Sequence, residues 1–140
     1  MLNKKIESVK KISDKYIKDT TLRLREIGEN NESKFKLTQK EKLTPPKQGI
    51  LKINTLYLTK TEFDKINSLE GFEIEKERHI IQMDQIRIGI DKITFNDKIV
   101  FIAEVEFDTE LEMNTFSMPF DCIMEITGNQ KYNGFELAKQ

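Results

Sequence analysis

The feature that most restricts the fold is a two-residue alternation that recurs along the chain with its charges sorted by sign. In TLRLREI (21–27), Leu22 and Leu24 fall on one side, Arg23 and Arg25 on the other. In SKFKLTQK (33–40), Phe35, Leu37 and Gln39 oppose Lys34, Lys36, Thr38 and Lys40. FEIEKERHII (72–81) sets Ile74, Lys76, Arg78 and Ile80 against Glu73, Glu75, Glu77 and His79. IVFIAEVEF (99–107) sets Phe101, Ala103, Val105 and Phe107 against Ile102, Glu104 and Glu106. A period of two belongs to strands with one face buried, and residues two apart share a face.

The remaining segments fill in around these runs. Residues 9–18 read as a weak strand, with residues 2–8 as a short helix or arm before it. Gly28-Glu29-Asn30-Asn31 is a hairpin turn, and Pro45-Pro46 breaks the chain before a β-rich stretch at 50–58. Thr59 and Glu62 form a capping box, followed by Phe63, Ile66 and Leu69 at helical spacing. One or two strands are expected over 84–95, a helical turn over 111–116, a last strand over 120–127 and a short helix in YNGFELAKQ. Strands that neighbour one another in sequence favour antiparallel pairing. The expected fold is therefore α+β: a curved antiparallel sheet of about seven strands with two or three short helices. A single domain over residues 1–140 is expected, residues 1–8 being a poorly defined arm.

Composition narrows the function. With 23 basic and 24 acidic side chains among 140 residues, the net charge is −1, which argues against a generic nucleic-acid or polybasic membrane binder. The sum conceals a gradient: +6 over residues 1–48, −1 over 49–98 and −6 over 99–140. The apolar runs are far too short for a membrane-spanning helix, and the N-terminus lacks a signal-peptide core. The single cysteine, Cys122, cannot form an internal disulfide and is expected to be a small buried residue. A reduced, cytoplasmic setting is the expectation. No P-loop, dinucleotide fingerprint or nucleophile elbow is present.

If the sheet curls so that its polar faces point inward, Arg23, Arg25, Lys36, Lys40, Lys76 and Arg78 line one cavity with Glu104 and Glu106. Such a lining suits a polyphosphate, because guanidinium forks match phosphate oxygens and lysines add point charges. The paired carboxylates would hold Mg²⁺ or Mn²⁺, which prefer oxygen ligands. Taken alone, an R-x-R strand is more often a solvated face. Periodicity fixes which residues share a face; it does not fix whether the faces meet. His79 falls on the opposite face and is not expected to act as a base.

The succession TTLRLRE, FKLTQK, KER, AEVEF and EITGNQKYNGFELA resembles the CYTH family, the triphosphate tunnel metalloenzymes, over roughly residues 9–138. The resemblance implies an eight-stranded antiparallel barrel around a tunnel that binds a triphosphate, inorganic or organic, with Mg or Mn. It assigns phosphate contacts to Arg23, Arg25, Lys40, Lys76 and Arg78, with Lys36 beside Lys40, and metal ligands to Glu104 and Glu106. Two departures stand out. No E-x-E-x-K strand precedes residue 9, which implies an open or incomplete barrel and a start, at Met1, later than the family's. The segment Lys52–Tyr57, before the helix, has no carboxylate where the family often carries acids. Three functions follow as alternatives: a metal-dependent triphosphatase, a non-catalytic phosphate- or polyphosphate-binding module, or an interaction protein that dimerises through an open sheet edge.

Overall fold

The computed structural model describes residues 4–83 and 85–140. Seven strands run in chain order as β1 (Lys4–Ile17), β2 (Leu22–Glu29), β3 (Glu32–Lys42), β4 (Leu51–Leu58), β5 (Gly71–Met83), β6 (Ile86–Phe95) and β7 (Lys98–Glu104). They form one antiparallel sheet in the order β4-β3-β2-β1-β5-β6-β7. The sheet is not closed: β4 and β7 are its two edges. Three short helices complete the fold, α1 (Lys60–Asn67), α2 (Glu110–Thr115) and α3 (Gly134–Ala138), with a single 3₁₀ turn at Gln130–Tyr132.

The tight hairpins rest on residues that tolerate a left-handed backbone. Asn30 (φ 52°) and Asn31 (φ 62°) join β2 to β3, and Asn96 (φ 47°) and Asp97 (φ 60°) join β6 to β7. Paired positive φ values match the right-handed twist of the flanking strands. Thr59 caps α1 as its spacing implies, its hydroxyl accepting from the Glu62 amide while the Glu62 carboxylate accepts from the Thr59 amide.

Two expectations about secondary structure are corrected, and a third, the strand at 9–18, holds but proves longer and more central than its pattern implies. Residues 4–8 are not an arm or helix but the opening of β1, and residues 1–3 of the expected arm lie outside the described residues. The "weak strand" at 9–18 is the centre of the sheet, pairing with β2 on one side and along its whole length with β5 on the other. Its polarity on both faces masked its central place, because charged groups stand where a half-buried strand normally shows apolar ones. Residues 120–127 form no strand; Ile123 is fully exposed there, so the segment lacks the packed face that would hold it against an edge. Cys122 in that segment is exposed rather than buried.

The two faces of the sheet are covered differently. On the outer face, α1 sets Phe63 against Ile17 and Leu24, with Leu22, Phe35, Leu37, Leu58 and Ile66 around them. On the inner face, α3 sets Leu137 against Ile74 and Ile93, with Tyr16 and Ile102 alongside. Phe135 of α3 stands edge-on to Tyr16 and Phe72, each ring centroid 5.9 Å away. The C-terminal helix thus floors one end of the inner face and leaves the other end polar.

Candidate functional site: a cation-lined inner face

Strand register decides which side chains meet, since directly opposed residues point to the same face. Asp14 opposes Arg25, and Tyr16 opposes Arg23. Arg25 opposes Lys36, and Arg23 opposes Thr38. Lys36 opposes Tyr57, and Thr38 opposes Thr55. On the other flank Ile12 opposes Lys76, Lys10 opposes Arg78, Arg78 opposes Asp91, and Gly89 opposes Glu104. Arg23, Arg25, Lys36, Lys40, Lys76, Arg78 and Glu104 therefore lie on one face, the face that carries α3. His79 lies on the other, 2.7 Å from the Glu77 carboxylate.

The face curls. After β7 the chain crosses to the β3–β4 connection, where Lys47 Nζ meets Glu110 Oε1 at 2.6 Å. Gln48 Nε2 donates to the Thr127 carbonyl at 2.7 Å. Gly49, at φ 78°, leaves room for Met113, where a β-carbon would sit 3.0 Å from its sulfur. Residues 105–128 thus strap the gap between the edges without adding a strand. The charges of Glu104 and Glu106 on one side reach Lys40 on the other.

Glu106 itself lies beyond the end of β7, in an exposed, irregular stretch. The expected pair of carboxylates on one strand is therefore a single strand carboxylate, Glu104, with Glu106 on the strap that follows.

Two acids missed in the sequence dominate the electrostatics. Asp14 is 2 % exposed and sits in the fork of Arg25, Nε to Oδ1 at 2.6 Å and Nη2 to Oδ2 at 2.7 Å. Arg23 Nε and Lys76 Nζ stand 4.0 and 3.9 Å from the same carboxylate. Burial pushes the Asp14 carboxyl up, but the Arg25 fork and the charges of Arg25, Arg23 and Lys76 outweigh it and hold the group below its usual range. Asp91, 4 % exposed, repeats the arrangement: Arg78 donates from Nε and Nη2 at 2.6 and 2.7 Å, and Lys76 Nζ lies 2.9 Å away. Here too burial raises the pKa and the cations pull it down further than burial lifts it. Arg78 also reaches Glu104 at 3.5 Å. The overlooked signal was parity: Asp14 shares its face with Ile12 and Tyr16, and Asp91 with Ile93.

Other cations on the face lack such forks. Arg23 Nε is buried with no hydrogen-bond partner among the described residues. Lys36 Nζ lies 5.2 Å from the centroid of the Tyr57 ring. Lys40, exposed as a whole residue, has its pKa lowered, first by desolvation of the ammonium and then by the charge of Arg23, against the opposing charges of Glu104 and Glu106. The buried guanidinium nitrogen lacks a hydrogen-bond acceptor, and the Lys40 ammonium feels desolvation and neighbouring cations more than the opposing charges of Glu104 and Glu106.

The carboxylates present do not fit a divalent metal. Both oxygens of Asp14 and both of Asp91 are taken by guanidinium forks, and Glu104 leans on Arg78. No group of three or more His, Cys, Asp or Glu side chains able to hold a metal forms among the described residues. Mg²⁺ or Mn²⁺ would also have to enter a field of cations.

An inner face built this way invites comparison with solved folds. The fold is shared with a triphosphatase. The crystal structure of the inorganic triphosphatase NE1496 superposes with a TM-score of 0.56 at 18% identity, covering 100% of this chain and 88% of that one. A further structure of NE1496 gives 0.58 at 16% identity over 100% and 99% of the two chains. The PH1819 protein from Pyrococcus horikoshii OT3 gives 0.58 at 15% identity over 79% and 71%. No family model matches the sequence, and no curated protein matches it. Among the described residues, no helix is long and apolar enough to cross a membrane.

Proposed function

We propose that this chain is a CYTH-like triphosphate-binding protein whose inner sheet face receives an inorganic or organic triphosphate. The observation that carries the reading is the gathering of Arg23, Arg25, Lys36, Lys40, Lys76 and Arg78 on one curled face. Three strands supply these cations, β2, β3 and β5, so the field is spread over a length suited to several linked phosphates rather than one. Arg23 and Lys40, which no carboxylate holds in a bidentate fork, would take phosphate oxygens. Arg25, Lys76 and Arg78, held in place by Asp14 and Asp91, would add fixed positive potential behind them. The +6 and −6 ends of the chain fit this division, the basic third supplying β2 and β3 and the acidic third supplying β7 and the strap.

Hydrolysis belongs to the triphosphatase neighbour, and for this chain the proposal is of binding. Thermal unfolding with inorganic tripolyphosphate tests it. A ligand at a hundredfold excess over its dissociation constant adds about 2.7 kcal/mol, or a rise of about 8 °C in a domain of this size. Sulfate at equal ionic strength should give a much smaller rise. Equal shifts with both salts would reduce the face to a general anion sink, and no shift with either would remove the proposal.

A second reading rests on the edges. Leu51, Ile53, Leu56 and Tyr57 of β4 and Ile99 and Phe101 of β7 are all exposed, on strands with one unpaired side. Such edges are templates for pairing with another strand, which makes a homodimer the alternative proposal. Light scattering decides it: a monomer at every concentration excludes edge pairing.

A further inference from the structure

We propose that the inner face takes up its anion without a metal, Asp14 and Asp91 serving as standing counter-ions to Arg25, Lys76 and Arg78 while Arg23, Lys36 and Lys40 receive the ligand. This rests on the phosphate-binding reading above and departs from the metal expectation that the family resemblance carries. Five observations converge on it. Each aspartate spends both oxygens on one arginine fork, a geometry that leaves a metal no free edge to approach. Each also has lysine as a further neighbour: Lys76 Nζ lies 2.9 Å from Asp91 and 3.9 Å from Asp14, and so bridges the two ion pairs.

The third observation is on β4, whose inner-facing residues are Ile53, Thr55 and Tyr57. An oxygen-ligated cation finds there no carboxylate, only the hydroxyls of Thr55, 3.5 Å from Thr38 Oγ1, and Tyr57. Fourth, β7 ends at Glu104, so Glu106 is not fixed beside it by strand pairing, and the charges of both carboxylates act on Lys40. Fifth, the cations without a fork cluster on β2 and β3: Arg23 opposes Thr38, two residues from both Lys36 and Lys40 on the same face. Phosphate oxygens placed there would meet the guanidinium of Arg23, whose buried Nε makes no hydrogen bond and stands 4.0 Å from Asp14, and two ammonium groups, and would need no metal to offset their charge.

The two roles for the carboxylates predict opposite responses. A metal-bound triphosphate site gains affinity when Mn²⁺ is added and loses it when an aspartate ligand is neutralised. A site with internal counter-ions loses affinity when Mg²⁺ or Mn²⁺ sequesters part of the ligand charge. It gains affinity when an aspartate is neutralised, because a repelling charge is gone and an arginine is released.

The experiment has two arms. In the first, the intact chain is titrated with Mn²⁺ alone and followed by electron paramagnetic resonance. The expected result is an undiminished signal of free Mn²⁺, and stoichiometric loss of that signal would overturn the proposal. In the second, calorimetry measures tripolyphosphate binding in EDTA and in excess Mg²⁺, for the intact chain and for Asp14→Asn and Asp91→Asn. Tighter binding in EDTA is expected. Each Asn variant that folds should bind roughly fourfold more tightly, the weight of one unit charge about 5 Å away in a water-like medium. Binding that requires Mg²⁺, or that either Asn change abolishes in a folded protein, would overturn the proposal and leave the phosphate reading intact. Absence of binding under every condition would sink the phosphate reading instead, and the Mn²⁺ signal would still decide whether the carboxylates ligate metal.

Discussion

Replacing Arg25 with methionine removes one half of the most buried ion pair in the protein. The Asp14 side chain has no exposed surface and that of Arg25 has 8%. Removing one partner of a buried pair leaves the other charged in a medium that solvates it poorly, at a cost of about 3–5 kcal/mol. Position within that range follows from what remains. Asp14 would keep Arg23 and Lys76 within about 4 Å, as it has them now at 4.0 and 3.9 Å, so Arg25→Met falls at the lower end, about 3 kcal/mol. Asp14→Leu is the harsher change. It strips the counter-ion from three cations at once, which places it at the upper end, about 5 kcal/mol. The double variant Asp14→Leu/Arg25→Met should be more stable than Asp14→Leu alone, because one of the stranded cations is gone. Urea unfolding followed by circular dichroism reads all three, with the slope against urea unchanged if only stability shifts. Costs below about 1 kcal/mol for both single variants, the range of solvent-exposed pairs, would refute the placement of this pair in the interior.

Further predictions follow from the same interior. Asp14 and Asp91 have folded-state pKa values below their unfolded ones, so the stability they contribute is present above the ordinary aspartate value of 3.8 and is lost as pH falls through the folded-state values below it. Denaturant midpoints should hold between neutrality and pH about 5 and drop below pH about 4, and a drop already complete at pH about 5 would contradict the depressed values. Lys40 has its pKa lowered from 10.5, so it sheds its proton at a lower pH than a free lysine. Tripolyphosphate affinity should begin to fall at a lower pH than titration of an ordinary lysine would produce, and Lys40→Gln should remove that early limb. Phe63→Ala empties the contact of α1 with Leu24 and Ile17 and should cost about 3–5 kcal/mol in urea unfolding, since Phe63 is 8% exposed.

Much of the sheet was legible because alternation is a strong signal where one face is apolar. Leu22 and Leu24 against Arg23 and Arg25 placed β2 correctly and put both arginines on one side. The Thr59–Glu62 capping box located the start of α1. What escaped was the rank of β1: residues 9–18 read only as a weak strand, whereas β1 runs Lys4–Ile17 at the centre of the sheet on which the site is built. Its inner face carries Lys10, Ile12, Asp14 and Tyr16, so neither face reads as apolar, and its stability comes from pairing on both sides. Asp14 was invisible for the same reason: a buried aspartate is tolerated only because Arg25 opposes it on β2, and that pairing is long-range. The segment 120–127 erred the other way. Its Phe120, Cys122, Met124 and Ile126 alternate as a strand would, yet residues 120–127 remain irregular and reach the β3–β4 connection through Thr127. Pattern names the residues that could face inward; register decides which charges they meet.

The most direct test of the central claim is calorimetric titration of the chain with inorganic tripolyphosphate at low and moderate salt, repeated on Arg23→Gln/Lys40→Gln. Arg25 and Lys76 would still hold Asp14 in the double variant, which should therefore fold, at some cost in stability from the lost Arg23–Asp14 pair. The account predicts one site per chain, weakening with salt, and at least a tenfold loss of affinity in the variant, corresponding to about 1.4 kcal/mol. Affinity unchanged in a folded double variant would contradict it.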